Sequence, residues 1–159
     1  MNSSECFAGV DSNCSRACWQ WKRDTSSDEV TGHFAVLLIA YKLLAQSDAE
    51  RDRIARLLCD TAAYIQDGGY VFVDPVSGKG TSWGYWDPAQ LNGVPGKPDE
   101  RGENSLELLG YMGAAARVCD ATGISSPAGR FGKAFAELVT EHGYDVNAVR
   151  RASASQGWP

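Results

Sequence analysis

The stretch TSSDEVTGHFAVLLIAYKLLAQSDAERDRIARLLCDTAAYIQDGGY, residues Thr25–Tyr70, contains a pattern that the chain uses twice. A polar cap opens it, a long apolar helix follows, and a second, amphipathic helix ends on Gly-Tyr. The stretch ENSLELLGYMGAAARVCDATGISSPAGRFGKAFAELVTEHGY, residues Glu103–Tyr144, repeats this order about 78 residues further along. Because such a repeat unit cannot bury its own apolar face, it needs neighbouring units to pack against.

The first helix of each stretch is predicted to be apolar around most of its circumference. Ser26 and Glu29 have the spacing of a capping box at the start of the first one. Asn104 is predicted to cap the corresponding helix of the second stretch, with Glu107 at the box position. Helices that are apolar on all faces are typically buried on all sides. The two faces of the first such helix consist of Val30, Phe34, Leu37, Leu38, Tyr41 and Leu44, and of Val36, Ile39 and Leu43.

The second helix of each stretch has one apolar stripe and one polar face, which predicts a position on the outside. Ser47 and Glu50 open the first of these helices, and Gly68-Gly69 ends it. Ser126-Pro127 is predicted to start the other, with proline at the first helical position. The segment Asp145–Ala152 predicts the beginning of one more helix.

The periodicity between the two stretches is that of strands and not of helices. Tyr70–Val73 and Thr81–Trp86 have strand composition on either side of a run of turn residues, which predicts a β-hairpin. Asp87–Gly102 follows with three prolines and three glycines, which predicts a loop. A loop of roughly 16 residues is unusually long for a connector, and such loops are often functional.

The alternation of buried and outer helices predicts a mainly α fold. We expect repeated inner and outer helical hairpins, forming part of an α/α toroid, with one inserted β-hairpin. Closing such a ring takes more hairpins than this chain contains, and a helical bundle or solenoid is the alternative packing. We divide the chain into an irregular Cys- and Ser-rich tail at residues 1–18 and a helical-hairpin domain at residues 19–159, which we expect to be incomplete.

Composition and motifs exclude several classes of function. The net charge of −5, the pI of about 5.0 and the lack of a basic stripe argue against a nucleic-acid partner. No apolar run reaches the roughly 18 residues of a membrane span, so we expect no membrane partner. The first residues lack the pattern of a secretory signal, and the compartment stays open, with extracellular and periplasmic locations included. Dinucleotide, phosphate-loop and zinc motifs do not occur, so we expect no metal and no cofactor.

The five cysteines leave the redox state open. Cys6, Cys14 and Cys18 crowd the N-terminal tail with spacings that fit no common zinc pattern, and a disulfide there is one of the alternatives. Cys59 and Cys119 lie within helical patterns, where the sequence predicts buried small apolar side chains.

The segments WKRDTSSDEVTGHF, TSWGYW and RGENSLELLGYMGAA resemble parts of the α/α-toroid, or six-hairpin, carbohydrate-active proteins of bacteria. The resemblance covers about residues 19–145 and identifies no single enzyme family. It implies a cleft where the inner helices begin, lined by acidic and aromatic side chains, and a carbohydrate partner.

Acidic residues at the predicted helix starts are the candidates for catalysis. Hydrolysis of a glycosidic bond needs one carboxyl group as acid and a second that activates water or attacks. Asp24 and Asp28 flank the start of the first inner helix and Glu107 that of the second, so they share one rim if these helices are neighbours. Asp28 is our candidate acid or base, and helix capping is the alternative role of Glu107. His33, one turn further along, is the candidate base of a lyase.

Aromatic and polar residues around the hairpin are the candidates for binding substrate. Trp83, Tyr85 and Trp86 are expected to stack on sugar rings, and simple packing over the helices is their alternative role. Arg101 and Asn104 are candidates for binding a carboxylate or hydroxyl groups. The sequence does not decide between a hydrolase and a lyase. The alternative to an enzyme is a non-catalytic helical-repeat module that binds glycan or protein.

The predicted fold leaves part of the apolar surface of the inner helices exposed to solvent. Two hairpins cannot enclose every face of two apolar inner helices, and a large exposed apolar patch on a monomer marks an interface. We therefore predict that this chain forms an oligomer or belongs to a longer protein.

Overall fold

The computed structural model describes residues 24–93, 98–124 and 127–154. Two helices, Ser27–Ile39 and Pro98–Ala115, continue into π-helical turns, Ala40–Leu44 and Ala116–Asp120. The mainly helical fold with one inserted antiparallel hairpin is confirmed. The predicted tail at residues 1–18, with its three cysteines, lies outside the described residues. The elements are α1 (Ser27–Ile39), α2 (Asp48–Asp67), β1 (Val71–Val73), β2 (Gly80–Tyr85), α3 (Pro88–Gly93), α4 (Pro98–Ala115), α5 (Arg130–Thr140) and α6 (Tyr144–Ala154).

Helices α1 and α4 lie side by side and run in the same direction. Near their starts, the Ser27 hydroxyl donates to the side-chain oxygen of Asn104 at 3.4 Å. Further along, Phe34 stacks on Tyr111 with 4.3 Å between the ring centroids. α6, the predicted additional helix, also packs on α4. α2 contacts both α1 and α4, and α5 contacts both α4 and α6, so α4 is the central helix.

A disulfide joins Cys59 of α2 to Cys119 in the π-helical turn that follows α4. The prediction that both cysteines are buried is confirmed, but the prediction that they are merely small apolar side chains is wrong. Their patterns are local to two helices, whereas the bond depends on how those helices pack across 60 residues of chain.

The segment predicted as one long loop, Asp87–Gly102, is mostly helical, so that prediction is wrong. It contains α3 and the first residues of α4. Both helices begin with a proline, Pro88 and Pro98, at the position where the missing N–H group costs nothing. The Asp87 carboxylate accepts a hydrogen bond from the Gln90 N–H at 2.9 Å and so satisfies a free donor of the first turn of α3.

Two helices begin at residues other than those predicted. Asn104 is not a cap, because α4 begins at Pro98 and places Asn104 inside the helix. α5 begins at Arg130 and not at Ser126-Pro127, of which Ser126 lies outside the described residues. The last residue of the π-helical turn after α4 satisfies a free N–H group in the first turn of α5: the Asp120 carboxylate accepts from the Gly132 N–H at 2.9 Å.

One face of α1 and of its π-helical turn is apolar and exposed. Val30 and Phe34 are buried, but Val36, Ile39 and Leu43 expose 64%, 51% and 77% of their surface. The prediction that this helix is buried on all sides is therefore wrong for the chain alone. These three side chains point away from α4, since helical periodicity places them opposite the residues that contact it. Helices long and apolar enough to cross a membrane are absent from the described residues.

We expect the exposed face of α1 to bind a hydrophobic dye and to cause self-association of the isolated chain. Replacing Ile39 and Leu43 together by Gln should lower dye fluorescence several-fold. The free energy of unfolding should change by less than about 0.5 kcal/mol per substitution, because these side chains are exposed. Light scattering after size-exclusion chromatography and dye binding measure this, with Arg56→Gln on α2 as the control. A monomer of 17.1 kDa that binds no dye would contradict the prediction.

Candidate functional site

The carboxyl group of Glu107 lies between α1, α4 and the end of β2. Its Oε2 atom accepts a hydrogen bond from Nε1 of Trp86 at 3.0 Å, and its Oε1 atom accepts one from the Thr31 hydroxyl at 2.9 Å. The Tyr111 hydroxyl lies 2.6 Å from the Thr31 hydroxyl and 3.0 Å from the backbone oxygen of Ser27. These hydroxyl and indole donors hold the carboxyl group in one orientation.

The aromatic residues beside Glu107 are packed into the core. Trp86 is fully buried and meets Tyr111 edge to face, with 5.4 Å between the ring centroids. The hydroxyl of Tyr144, at the start of α6, donates to the backbone oxygen of Trp86. The indole that binds Glu107 is therefore fixed from both α4 and α6.

Burial raises the pKa of the Glu107 carboxyl above its ordinary value of 4.5. Hydrogen bonds from Trp86 and Thr31 act in the opposite direction, because they favour the charged form, but burial is the larger effect. The nearby charge of Glu103 adds to the increase. Glu107 thus holds its proton to higher pH than an ordinary glutamate does.

Asp28 has the opposite environment in the first turn of α1. It is exposed, and a hydrogen bond with the Ser26 side chain lowers its pKa below 3.8. Burial raises the pKa of the Tyr111 hydroxyl, and the charges of Glu107 and then Asp28 raise it further. Both carboxylates are therefore within electrostatic reach of one phenol, and we call Asp28 and Glu107 the carboxyl pair.

Asp24 and His33 line a separate hollow on α1, open to solvent and about 380 Å³ in volume, together with Thr25 and Glu29. The Asp24 carboxylate accepts a hydrogen bond from the Ser82 N–H of β2 at 2.7 Å. Glu29 accepts from the Ser26 N–H at 3.1 Å, as the predicted capping box requires. The structure thus places Asp24 and His33 beside the capping residues, and His33 is exposed.

The three aromatic candidates, two in β2 and Trp86 directly after it, have different environments. Trp83 exposes 56% of its surface. Its backbone forms an isolated parallel β-bridge with Ser26, where the residues before α1 meet β2. Tyr85 and Trp86 are buried, with 2% and 0% of their surface exposed, and the Tyr85 hydroxyl donates to Glu100. Of the three, only Trp83 offers an open ring face to a ligand.

The polar candidates at the start of α4 bind the protein itself. The amide of Asn104 donates to the backbone oxygen of Tyr85 at 2.9 Å, and its oxygen accepts from Ser27. The Nε atom of Arg101 donates to the backbone oxygen of Leu91 in α3. Asn104 therefore fixes β2 against α4, and Arg101 fixes α3 against α4.

Sequence reasoning missed Thr31, which binds the Glu107 carboxyl group, and Tyr111, whose hydroxyl group lies against that of Thr31. Thr31 lies on the face of α1 that also carries Ser27 and Phe34. A polar residue within an apolar stripe indicates a buried hydrogen bond, and this signal was present in the sequence. The alternative interpretation of Glu107 as a helix cap is wrong, because α4 begins nine residues earlier, at Pro98.

The described residues contain no group of three or more His, Cys, Asp or Glu side chains arranged to hold a metal ion. Comparisons of this chain with models of protein families, with curated proteins and with solved structures found no match.

Proposed function

We propose that this chain is a piece of a carbohydrate-active α/α-toroid protein that hydrolyses glycosidic bonds, with its cleft between the first turn of α1 and the middle of α4, where Glu107 lies. One observation carries the proposal: Glu107 is a partly buried carboxyl group held by Trp86 and Thr31, whereas Asp28, in the first turn of the neighbouring helix α1, is an exposed one. Burial raises the pKa of Glu107, and a hydrogen bond with the Ser26 side chain lowers that of Asp28. Two carboxyl groups displaced in this way are suited to opposite roles in one reaction.

In the proposed reaction Glu107 is the acid and Asp28 is the base. The protonated Glu107 carboxyl gives its proton to the glycosidic oxygen as the bond from that oxygen to the anomeric carbon breaks. A water molecule forms the new bond to the anomeric carbon, and its proton passes to the Asp28 carboxylate. The products are two sugars with free hydroxyl groups, and exchange of protons with solvent restores both carboxyl groups.

The packing of the helices supports the toroid as the parent architecture. α1 and α4 are parallel neighbours, α2 contacts both of them, and α5 contacts both α4 and α6. The exposed Val36–Leu43 face of α1 is then the side on which another inner helix of the ring would pack. The Cys59–Cys119 disulfide supports an oxidising compartment, outside the cytoplasm.

A binding module without catalysis is the second candidate, and the exposed ring of Trp83 favours it. Exposed aromatic faces suit the apolar faces of sugar rings whether or not a bond is broken. Trp83→Ala should then abolish glycan binding, while Glu107→Gln should leave it unchanged.

Product release from a panel of polysaccharides tests the proposal. The purified chain and a longer parent protein containing it would be incubated with each polymer, and new reducing ends would be counted. Release that stops with Glu107→Gln supports the hydrolase. Binding without release in the longer protein supports the second candidate, and the absence of both binding and release contradicts the carbohydrate function.

A further inference from the structure

The two oxygen atoms of the Glu107 carboxyl group have hydrogen-bond partners of different kinds. Oε2 accepts from Nε1 of Trp86 at 3.0 Å. Because an indole N–H group can only donate, a proton on Oε2 would compete with it. Oε1 lies 2.9 Å from the hydroxyl group of Thr31, which can donate or accept. The proton that Glu107 gains and loses is therefore carried on Oε1, facing Thr31.

The Thr31 hydroxyl group has other acceptors within reach of its own proton. It lies 3.1 Å from the backbone oxygen of Ser27 and 2.6 Å from the hydroxyl group of Tyr111. When Glu107 is ionised, Thr31 donates to Oε1. When Glu107 is protonated, Oε1 donates to Thr31, and the Thr31 proton turns to Ser27 or Tyr111. Rotation of hydroxyl groups thus satisfies both states without movement of the carboxyl group.

We propose that Thr31 is a positioning residue that changes from hydrogen-bond donor to acceptor each time Glu107 gains its proton. The role of this exchange in turnover rests on the proposed function, in which Glu107 gives its proton to the glycosidic oxygen and recovers one from solvent. Because the same groups hold the carboxyl group before and after the proton leaves, little reorganisation accompanies the transfer.

Titration of Glu107 by NMR in the folded chain tests the role of Thr31 without a substrate. Thr31→Val keeps the shape of the side chain and removes its hydroxyl group. A hydrogen bond to an ionised carboxylate is stronger than one to a neutral carboxyl group, so loss of this donor should raise the pKa of Glu107. We expect a several-fold increase in its proton affinity. Thr31→Ser, which keeps the hydroxyl group, should restore the wild-type midpoint.

A matched substitution on α2 is the control. The Thr61 hydroxyl group donates to the backbone oxygen of Leu57 at 2.7 Å, the same kind of bond that Thr31 can form with Ser27. Thr61→Val removes that bond without touching Glu107, so the Glu107 midpoint should stay at its wild-type value.

Other ionisable groups act on the same network from both helices. On α4 the charge of Glu103 raises the pKa of Glu107, and the phenol of Tyr111 lies beside Thr31. On α1 the charge of Asp28 acts on the Tyr111 phenol. All three are present in Thr31→Val and in Thr31→Ser. A return to the wild-type midpoint in Thr31→Ser therefore assigns the effect to the hydroxyl group and not to these neighbours.

The indole proton of Trp86 reports which oxygen of Glu107 carries the proton. We expect its NMR resonance to stay in the range of a hydrogen-bonded indole on both sides of the Glu107 midpoint, because Oε2 accepts throughout. Movement to the range of a free indole as Glu107 becomes protonated would place the proton on Oε2 and overturn the inference. This measurement uses the wild-type chain, so it does not depend on the folding of any variant.

The outcomes separate this inference from the proposed function. A midpoint that is unchanged in Thr31→Val, or that Thr31→Ser does not restore, overturns the inference whether or not polysaccharide is cleaved. The expected midpoints in a protein that cleaves no polysaccharide would support the hydrogen-bond exchange and contradict the hydrolase. In an active protein, the decline of activity at high pH should move upward in Thr31→Val together with the Glu107 midpoint.

Discussion

Replacing Cys59 and Cys119 together by Ala is expected to lower the free energy of unfolding by about 4 kcal/mol. The bond closes a loop of 60 residues between α2 and the turn after α4. Closing a loop of this size removes much conformational freedom from the unfolded chain, which is the main stabilising effect of a disulfide in the chain-entropy model. Both sulfur atoms are also buried among apolar side chains, so truncation to Ala leaves a small cavity.

Urea denaturation of the wild type and the double variant, each with and without a reducing agent, measures this effect. The reducing agent should lower the stability of the wild type and leave that of the variant unchanged. A decrease of about 4 kcal/mol corresponds to roughly 10 °C in the melting temperature for a domain of this size. Equal stability of the oxidised wild type and the variant would show that the bond does not constrain the chain.

Replacing Glu107 by Gln is expected to reduce hydrolysis by a hundred- to ten-thousand-fold, the range that is typical of the loss of a general acid. Gln keeps the shape of the side chain, and its oxygen can accept from Trp86, but its amide group has no acidic proton to give. Asp28→Asn should have an effect of similar size, because it removes the base. Asp52→Asn removes an exposed charge on α2 and is the control, which should retain full activity.

The pH dependence distinguishes the two roles. In the proposed hydrolase the active form has Asp28 ionised and Glu107 protonated, so activity should fall at low pH as Asp28 gains a proton and at high pH as Glu107 loses one. Because burial raises the pKa of Glu107, the decline at high pH should begin above 4.5. The residual activity of Glu107→Gln should lack that high-pH decline. A wild-type profile that rises steadily with pH would contradict the assignment of Glu107 as the acid.

The mainly helical fold and the β-hairpin could be predicted from the sequence because local signals specify them. The spacing of apolar residues, the Ser26–Glu29 box and the Gly68-Gly69 stop all act within a few residues of the element that they define. Proline was the ambiguous signal, since it breaks helices and also begins them. In Asp87–Gly102, Pro88 begins α3 and Pro98 begins α4. The prediction of a loop took the same prolines as signs that no helix forms there.

The site was predictable only in part because it depends on contacts between distant residues. Asp28 and Glu107 were candidates from their positions, but the Thr31–Glu107 and Trp86–Glu107 hydrogen bonds arise from the packing of α1 and β2 on α4. The same packing buries Tyr85 and directs the Asn104 amide to the backbone oxygen of Tyr85. From their residue types alone, both were predicted to lie on an open binding surface.

The most direct test of the central claim is an NMR titration of the carboxyl pair in the folded chain. The side-chain carboxyl carbons would be followed through pH, with Asp28→Asn and Glu107→Gln assigning the two resonances. We predict a pKa above 4.5 for Glu107, because it is partly buried, and a pKa below 3.8 for Asp28, because of its hydrogen bond with the Ser26 side chain. A pKa of Glu107 at or below that of Asp28 would contradict the account, because the pair would then have no acid to give a proton.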